Sequence, residues 1–516
     1  PDKGAALVGY DANSTAKDKL DRIIDVRDAR FAGGADPSNA NNTAAIQAAL
    51  TYAGIVAPAT VIADQGQYIT DEVSVPTGVT FRCNLKLRVG ATVGSEKNMV
   101  RVSSGCSVIG RLEGTNVTNV EVVERGIFPA GELAAHDVFL DIEVAKTTVG
   151  VQATTTDLNN PCRRWSGTIR CTDIAGLVPS PNGNGYGLNA AMCDSTLLMF
   201  CKNVPRHSLY LAAGASRNNI VLHCDGGRFA PVDIACSPAQ PECFGNTILA
   251  FVTNHQGDYP GVKHTGGFFA GNCRGNKVEI HVSGSAPLDH AFFTQATIAD
   301  VDGVPTIASP TDNELIVHFD GQLKGSDNAV VELNSSSGTK LSVFGAASGT
   351  TVATRSIVRV GVNDTLIPPS PRAKACTIKA VDFAVGANIP HIVINAISYA
   401  VTDIGQGTIN VTGATGLPVV LFTAAEFLGG WVYETDFVGT TGVIAAGATG
   451  GLAVTFNDPL PTRRYITYSV APLSDPGANA PNHYIQPILD GSCTIKVKNN
   501  DTGDQNFIVS GRAYGF

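Results

Sequence analysis

The sequence predicts an all-β chain whose central part is a parallel β-helix, a solenoid in which each coil stacks its strands on those of the next. Three observations lead to this prediction. The 516 residues include 55 glycines and only 16% charged residues, a composition typical of strands joined by many turns. One strand motif recurs along the chain, and a second strand accompanies each copy. Because a coil can bury its apolar face only against its neighbours, such a repeat indicates a solenoid.

The first strand motif starts with a small polar residue and then alternates in polarity. Its copies begin at Ser195, Asn218, Asn246, Asn276 and Asn313, at intervals that grow from 23 to 37 residues. In the second copy Ile220, Leu222 and Cys224 share one face, which is apolar in every copy and is therefore predicted to line the interior. The opposite face carries a column of rings made of Phe200, His223, Phe251, His281 and His318.

The second strand of each coil is shorter and has an apolar third residue. Its copies are predicted at 207–211, 230–234, 260–264, 289–293 and 328–332. The fourth residue varies and is predicted to point outward: Tyr210, Asp233, Lys263, Phe292 and Val331. With weaker copies upstream, these two motifs predict a solenoid over residues 76–362.

The segment 25–75 is predicted to cap the first coil, since an open β-helix would expose unpaired strand groups. Within it, "NNTAAIQAALTYAG" (41–54) has the period of an amphipathic helix, with Asn42 as N-cap and Gly54 as its end. The predicted buried face of this helix consists of Ala45, Ile46, Ala49, Leu50 and Ala53.

The chain after the solenoid changes character. Residues 363–374 hold a cluster of prolines and are predicted to be a linker. Residues 375–516 alternate apolar strands with glycine-rich turns, which predicts one or two β-sandwich modules.

Composition excludes several function classes. The net charge is −9 and no basic stripe occurs, which argues against a nucleic-acid partner. The most apolar stretch, Leu417–Tyr433, is short and contains Glu426, so no membrane insertion is expected. None of the twelve cysteines forms a zinc-binding spacing, and most are predicted to be reduced and buried. We expect no cofactor and no metal site.

No signal peptide opens the sequence, and its start at Pro1 suggests a segment upstream.

The N-terminal segment resembles a known family. "KGAALVGYDANS" (3–14) and "IIDVRDARFAGGADPSNANNTAAIQAAL" (23–50) resemble the neck and entry cap of bacteriophage tailspikes with a pectate-lyase-like, right-handed parallel β-helix. The resemblance implies a homotrimer that recognises a bacterial surface polysaccharide, either capsule or O-antigen, and most such proteins are depolymerases. It also implies that residues 1–24 are a neck that follows a missing head-binding region, through which the protein joins the phage baseplate or tail.

The resemblance places the protein in the virion, assembled in the host cytoplasm and acting at the host surface. It implies a role in trimerisation or carbohydrate binding for residues 375–516. Endo-glycosidic hydrolysis is the favoured chemistry, with β-elimination on a uronic-acid-containing polymer as the alternative. A non-catalytic receptor-binding fibre and a secreted pectinase-like enzyme remain further alternatives.

A polysaccharide-cleaving site needs two catalytic groups on a rigid wall, and the region 207–318 is the richest in such groups. Hydrolysis uses two carboxylates, whereas elimination uses a base and a group that neutralises the substrate carboxylate. The candidate catalytic residues are Asp233, Glu242, Asp258 and His264. The candidate substrate-binding residues are Tyr210, Arg228, His255, Tyr259 and Lys263.

The column of histidine and phenylalanine rings has a different interpretation. His223 and Asp225 point outward on the same strand, but Phe200 and Phe251 share the column of His223. A mixed column of this kind favours a partly buried subunit interface over a catalytic row. Metal binding by the column alone is not expected, because strand spacing supplies too few converging ligands.

Overall fold

In the computed structural model the chain forms two compact units, residues 1–324 and residues 325–516. The described residues are 9–11, 14–15, 22–89, 96–115, 123–130, 134–176, 185–256, 264–302, 304–324, 329–347, 356–360, 376–385, 395–397, 401–403, 409–412, 422–423, 433–444, 449–455, 464–472, 482–485, 492–498 and 505–515. Among them, no helix has the length and apolar character that a membrane span requires.

The first unit contains the helix α1 (Thr43–Ile55) and the strands that form the solenoid. The strands are β1 (Gly9–Asp11), β2 (Ser14–Thr15), β3 (Ile23–Asp25), β4 (Ala59–Thr70), β5 (Val73–Val75), β6 (Val79–Leu87), β7 (Glu96–Val102), β8 (Ser107–Glu113), β9 (Val123–Pro129), β10 (Phe139–Ala145), β11 (Val149–Ala153), β12 (Cys162–Arg163), β13 (Ser166–Thr172), β14 (Tyr186–Ala190), β15 (Met192–Cys193), β16 (Thr196–Lys202), β17 (His207–Leu211), β18 (Asn219–Asp225), β19 (Val232–Cys236), β20 (Cys243–Phe244), β21 (Thr247–Thr253), β22 (Thr265–Gly271), β23 (Cys273–Arg274), β24 (Lys277–Ser283), β25 (His290–Gln295), β26 (Thr297–Val301), β27 (Val304–Ala308) and β28 (Glu314–Gly321).

Two long parallel sheets dominate the first unit. The first sheet has the order β3-β4-β6-β8-β10-β13-β16-β18-β21-β24-β28, and the second has the order β5-β7-β9-β11-β14-β17-β19-β22-β25. A third, narrow parallel ladder includes the pairs β12–β15 and β20–β23, while β26 and β27 form an antiparallel hairpin. The prediction of an all-β parallel β-helix is therefore confirmed.

The interior is built from the apolar side chains of the first strand motif. Ile220, Leu222 and Cys224 lie in register with Leu197, Met199 and Cys201 of the preceding coil and are almost fully buried. Removing each large apolar side chain from water stabilises the fold by roughly 1.5–3 kcal/mol. The eleven cysteines among the residues whose side chains are described are all buried and free of disulfides, as the sequence predicted for most of them.

The helix α1 covers the start of the solenoid with the predicted buried face, Ala45, Ile46, Ala49, Leu50 and Ala53. Two details differ from the prediction. The side chain of Asn42 does not cap the helix; its Oδ1 accepts a hydrogen bond from the Asp36 backbone at 2.8 Å, and Asn41 Oδ1 accepts from the Thr43 backbone instead. The helix also runs past Gly54, whose missing side chain makes room for Pro76.

The polar first residue of the strand motif forms a buried amide ladder between coils. Each backbone N–H of Ser195, Asn218, Asn246 and Asn276 donates to the side-chain Oδ1 of the next asparagine, over distances of 2.9 to 3.1 Å. The asparagine Nδ2 groups donate to backbone carbonyls, as Asn246 does to Ala215 at 3.0 Å. The ladder thus satisfies the buried polar groups of the turn and keeps successive coils in register.

Replacing Asn246 with alanine is expected to lower the free energy of unfolding by about 2 kcal/mol or more. The change leaves the buried backbone N–H of Asn218 without its acceptor and removes one of the two hydrogen bonds that the Ala215 carbonyl accepts, the other coming from the Phe244 N–H. The midpoint of urea unfolding measures the effect. Asn219→Ala, at the exposed start of the same motif, is the matched control and should shift the midpoint little. Equal shifts in the two variants would contradict the role of the ladder.

The second sheet corrects the alignment of the second strand motif. Asp233 pairs with Tyr210 on one side, as predicted, but its partner on the other side is Phe268 and not Lys263. The strand lies at 265–271 because Gly266 and Gly267 are part of it: a Cβ at Gly267 would lie 2.5 Å from the Phe292 ring. The outward column continues at Phe293, which pairs with Phe268, so Phe292 is an interior residue.

The second unit has its own parallel ladders and, further along, antiparallel sheets. Its strands are β29 (Ala329–Leu333), β30 (Lys340–Ala347), β31 (Ser356–Val360), β32 (Cys376–Val385), β33 (Asn395–Ile397), β34 (Val401–Asp403), β35 (Ile409–Thr412), β36 (Phe422–Thr423), β37 (Tyr433–Ile444), β38 (Thr449–Thr455), β39 (Arg464–Pro472), β40 (Asn482–Ile485), β41 (Ser492–Lys498) and β42 (Gln505–Gly515).

Parallel pairing in this unit extends beyond residue 362, where the solenoid was predicted to end. Strand β32 pairs in parallel with β30, and β33 pairs in parallel with β31 and β36. Antiparallel pairing begins at β37, in the three-stranded sheets β37-β42-β39 and β38-β41-β40. The predicted linker at 363–374 lies outside the described residues.

Candidate active site

The candidate site lies on the outward face of the second sheet. In-register pairs place Gln152, Asn189, Tyr210, Asp233, Phe268 and Phe293 in one column. Successive members of such a column stand about 4.8 Å apart, because each belongs to the next coil. The column therefore brings two amides, a phenol, a carboxyl group and two aromatic rings onto one rigid surface.

Asp233 is buried within this column. Its exposed fraction is 4%, whereas Tyr210 and Phe268 on either side are half-buried and reach the surface. The Oδ2 atom of Asp233 lies 3.3 Å from Nε2 of His207, and Oδ1 has no hydrogen-bond partner among the described residues. A buried oxygen without a hydrogen bond lowers the stability of the folded protein by about 1–3 kcal/mol. Such a group is therefore more common at functional sites than elsewhere.

Burial makes Asp233 a neutral acid. Loss of solvation raises the pKa of its carboxyl group to about 8, and the Arg206 guanidinium opposes this shift only in part. Burial likewise lowers the pKa of His207 to about 3. Since Nδ1 of His207 is 2.8 Å from the Ala230 carbonyl, which can only accept, Nδ1 carries the proton and Nε2 can accept one. At neutral pH the pair is thus a carboxylic acid beside a neutral imidazole.

Three histidines fasten the turn that leads to Asp233. The carbonyl oxygens of Arg228, Phe229 and Ala230 accept hydrogen bonds from His264 Nδ1 (2.7 Å), His255 Nε2 (3.1 Å) and His207 Nδ1 (2.8 Å) in that order. All three imidazoles are buried. Burial lowers the pKa of His255 to about 4, so this ring is neutral near pH 7. These contacts position the backbone immediately before β19, and with it Asp233.

A basic and aromatic rim surrounds the acid. The Arg206 guanidinium lies over the Tyr186 ring, with its carbon 5.0 Å from the ring centre, and its Nε is buried without a hydrogen-bond partner in the described part of the chain. The rings of Tyr186 and Tyr210 both pack against His207, at centroid distances of 5.4 and 5.5 Å. Burial raises the pKa of Tyr186 to about 12 and also raises that of Tyr210, so both phenols keep their protons.

Apart from Glu242, the predicted site residues fall into three groups. Asp233 and Tyr210 are neighbours in the column, while His255, His264 and the backbone of Arg228 meet at the turn before β19. The Arg228 side chain donates from Nε to Gln256 Oε1 at 2.7 Å. Asp258, Tyr259 and Lys263 lie outside the described residues.

Glu242 has a structural partner. Its Oε1 lies 2.9 Å from Nε of Arg274, at a corner of the coil where Asp137–Arg164 and Asp194–Arg217 make equivalent pairs at 2.6 Å. Such pairs join adjacent coils at the surface, where each contributes roughly 0–1 kcal/mol. The structure thus gives the Glu242 carboxylate a role in stacking the coils.

Sequence reasoning missed His207, Arg206 and Tyr186 as members of the site. The sequence did indicate that His207 lies near Asp233, because His207 is the first residue of the second strand motif in the coil before Asp233. Its contact with Asp233 depends on the turn at Ala230, which no periodicity shows. Phe268 was missed because the glycine pair before it resembles a turn.

The outward face of the first sheet carries the predicted ring column. Phe200, His223, Phe251, His281 and His318 stack in series, with centroid distances between 4.1 and 5.0 Å. A shallow groove of about 430 Å³ runs beside Phe200, His223 and Phe251, with Glu143 and Lys202 at its edges. This face is separate from the sheet that carries Asp233.

The arrangement around Asp233 can donate a proton in a partly apolar setting. General acid catalysis requires a carboxyl group that stays protonated near neutral pH, because an alkoxide is a strong base and leaves readily only if it receives a proton as the C–O bond breaks. The amides and rings of the column can hold an extended ligand along the solenoid axis. The site therefore suits cleavage of a linear polymer with hydroxyl groups and apolar faces.

Comparisons with known proteins give structural matches only; no family model and no curated protein sequence matches the chain. The gp54 tailspike of Acinetobacter baumannii bacteriophage AP22, solved with a capsular saccharide, is similar at 9% identity and TM-score 0.37, over 99% of each chain. The tailspike gp49 of Pseudomonas phage LKA1 is similar at 11% identity and TM-score 0.30, over 92% of each chain. The tailspike gp49 of Acinetobacter baumannii bacteriophage Fri1, described as a capsular polysaccharide depolymerase, is similar at 10% identity and TM-score 0.20, over 96% of this chain and 86% of that one.

Proposed function

We propose that the chain is a bacteriophage tailspike that binds and depolymerises a bacterial surface polysaccharide, capsule or O-antigen, by endo-glycosidic hydrolysis with Asp233 as the general acid. The observation that carries the proposal is the buried, protonated carboxyl group of Asp233, with one oxygen unpaired, in the middle of an outward column of a rigid parallel sheet. The N-terminal "ALVGY" and "NNTAAIQAAL" segments support the phage context.

The column itself supports a polysaccharide as the substrate. From Gln152 to Phe293 it spans six coils, or roughly 24 Å at the spacing of parallel strands. Amide groups can bind sugar hydroxyls, and the half-buried Phe268 ring, which stacks 5.5 Å from the buried Phe293 ring, offers an apolar face. A repeating polymer can use every coil of such a surface, with the cleaved bond at Asp233.

Hydrolysis also needs a second carboxylate. We propose Asp258 for this role, because it lies between His255 and His264 in the sequence, and both histidines bind the turn that precedes Asp233. Glu242 is the weaker candidate, since Arg274 already holds its carboxylate. Arg206, beside Asp233, is proposed to bind an anionic or hydroxyl group of the substrate.

Elimination is the second candidate chemistry, and Arg206 is the observation that favours it. A guanidinium next to the acid could neutralise the carboxylate of a uronic acid, with Tyr210 as the base. The raised pKa of Tyr210 opposes this mechanism, because a buried phenol loses its proton less readily.

Product analysis separates the two chemistries. Incubation with purified polysaccharide is expected to release new reducing ends without the ultraviolet absorbance of an unsaturated uronate, and Tyr210→Phe is expected to keep most of the activity. The absorbance, together with an inactive Tyr210→Phe, would establish elimination and overturn hydrolysis. Undiminished binding with no fragments at all would instead indicate a receptor-binding fibre.

We further propose that three chains assemble as a homotrimer through the ring column of the first sheet. Phe251 lies between two imidazoles there and is only partly buried within one chain. Phe251→Glu is expected to reduce the mass seen by light scattering from three chains to one. Ile298→Glu, at an exposed hydrophobic site on the β26–β27 hairpin, is the control and should remain trimeric. A wild-type monomer would overturn the trimer and favour a secreted pectinase-like enzyme.

The remaining parts of the proposal concern attachment and location. Residues 1–24 are proposed to be a neck that joins the spike to the phage baseplate or tail, and residues 375–516 are proposed to contribute to trimerisation or carbohydrate binding. Labelling of purified virions with an antibody against this chain should mark the tail. Absence of label from intact virions would contradict the location.

A further inference from the structure

We propose that Glu279, His281 and His318 form a binding site for a divalent transition-metal ion of the zinc class on the outward face of the first sheet. The site lies at the end of the ring column, on a different sheet from Asp233. It is independent of the proposed catalytic function.

Strand geometry brings the three side chains together. His281 on β24 and His318 on β28 are in-register partners, and their rings stack in parallel 4.1 Å apart. Glu279 lies two residues before His281, so both side chains leave the same face of the strand. The ring column supplies two ligands, His281 and His318. Glu279 lies outside this column and supplies the third.

The distances between the possible ligand atoms suit a small metal ion. Oε1 of Glu279 lies 3.2 Å from Nε2 of His281 and 3.7 Å from Nε2 of His318, and one ligand atom from each residue falls within 4.8 Å of the others. Zinc bonds to nitrogen and oxygen measure about 2.0–2.2 Å, which places tetrahedral ligand atoms roughly 3.3 Å apart. Side-chain rotations that tilt the two imidazoles out of their parallel stack would let all three reach one ion.

The donor set indicates which metal is preferred. Two imidazole nitrogens and one carboxylate oxygen match the ligands of zinc and its neighbours, whereas calcium and magnesium take oxygen ligands. The three side chains are each about one-third exposed, at 36%, 36% and 37%, so water or another ligand can complete the coordination. Bound metal would link β24 to β28 and strengthen the last coils of the first unit.

The competing explanation needs no metal. Each imidazole could donate from Nε2 to the same Glu279 oxygen, which would also account for the short distances. The two explanations differ in metal content and in the effect of a neutral side chain at position 279. A hydrogen-bonded cluster retains no zinc, while a metal site retains it and weakens when the carboxylate is lost.

The experiment uses the full chain, expressed without an affinity tag in zinc-supplemented medium so that the site can fill before assembly. We expect a stoichiometric amount of zinc after dialysis. Glu279→Gln and His318→Ala are expected to lower the zinc content at least about tenfold. His223→Ala is the matched control, because it removes an imidazole of the same column outside the cluster.

Cobalt gives a second readout. Addition of Co²⁺ to protein stripped of metal is expected to produce visible absorption bands typical of tetrahedral coordination, in wild type and in His223→Ala only. Thermal unfolding verifies that every variant is folded. Wild-type protein that holds no zinc and gives no cobalt bands would overturn the proposal, as would equal zinc in wild type and Glu279→Gln.

Discussion

Replacing Asp233 with asparagine is expected to slow polysaccharide cleavage by about 10²- to 10⁴-fold while the chain still folds. General acid catalysis typically accelerates a reaction by about 10²- to 10⁴-fold, and the variant loses this contribution. Folding should survive because the wild-type carboxyl group is already neutral near pH 7, so an amide of the same shape replaces a neutral acid and leaves no buried charge. The initial rate of reducing-end release on purified polysaccharide measures the effect.

Asp225→Asn is the matched control for this variant. Asp225 also lies on a solenoid strand and points outward, but on the first sheet, where its Oδ1 accepts a hydrogen bond from Asn254 at 2.8 Å. This variant should cleave at nearly the wild-type rate. If Asp233→Asn were folded and fully active, Asp233 could not be the acid.

Cleavage is expected to fall about tenfold per pH unit above pH 8, because the raised pKa of Asp233 is about 8 and only the protonated form can act.

The free energy of unfolding should also depend on the ionisation of Asp233. From pH near 4, the ordinary pKa range of the unfolded carboxyl group, to pH 8, the folded chain holds a proton that the unfolded chain releases. The contribution of Asp233 to stability is therefore full below pH 4 and is lost as the pH rises to 8.

The buried histidines act in the opposite direction at lower pH. His207 and His255 have lowered pKa values of about 3 and 4, so the stability they contribute is present above pH 6.5 and is lost as the pH falls. Between pH 6.5 and 8 the carboxyl group dominates the difference between wild type and Asp233→Asn. In that window the difference in free energy of unfolding should fall by about 1.4 kcal/mol per pH unit. A difference that does not vary with pH would show that Asp233 is ionised throughout.

The sequence predicted the fold well because the signal is periodic. The strand motif beginning at Asn218 repeats its alternation in every coil, and alternation decides which side chains face the interior. The second motif was misaligned where Gly266 and Gly267 stand inside a strand to make room for Val282 and Phe292. That requirement comes from packing against the first sheet and against the next coil of the same sheet, which a single strand does not display.

The site could be predicted only in part. The pairing of Tyr210 with Asp233 followed from aligning the copies and is confirmed. The burial of Asp233, its contact with His207 and the resulting raised pKa depend on how the turn at Ala230 packs, so the sequence could propose a carboxylate there but not its protonation. The pairing of Glu242 with Arg274 similarly depends on stacking between coils.

A crystal structure of the Asp233→Asn variant with an oligosaccharide longer than one repeating unit would test the role of Asp233 as the general acid. The saccharide is expected to lie along the column from Gln152 to Phe293, with a glycosidic oxygen about 3 Å from the side chain at position 233. A saccharide bound instead on the first sheet, or one whose glycosidic oxygens all lie far from position 233, would contradict it.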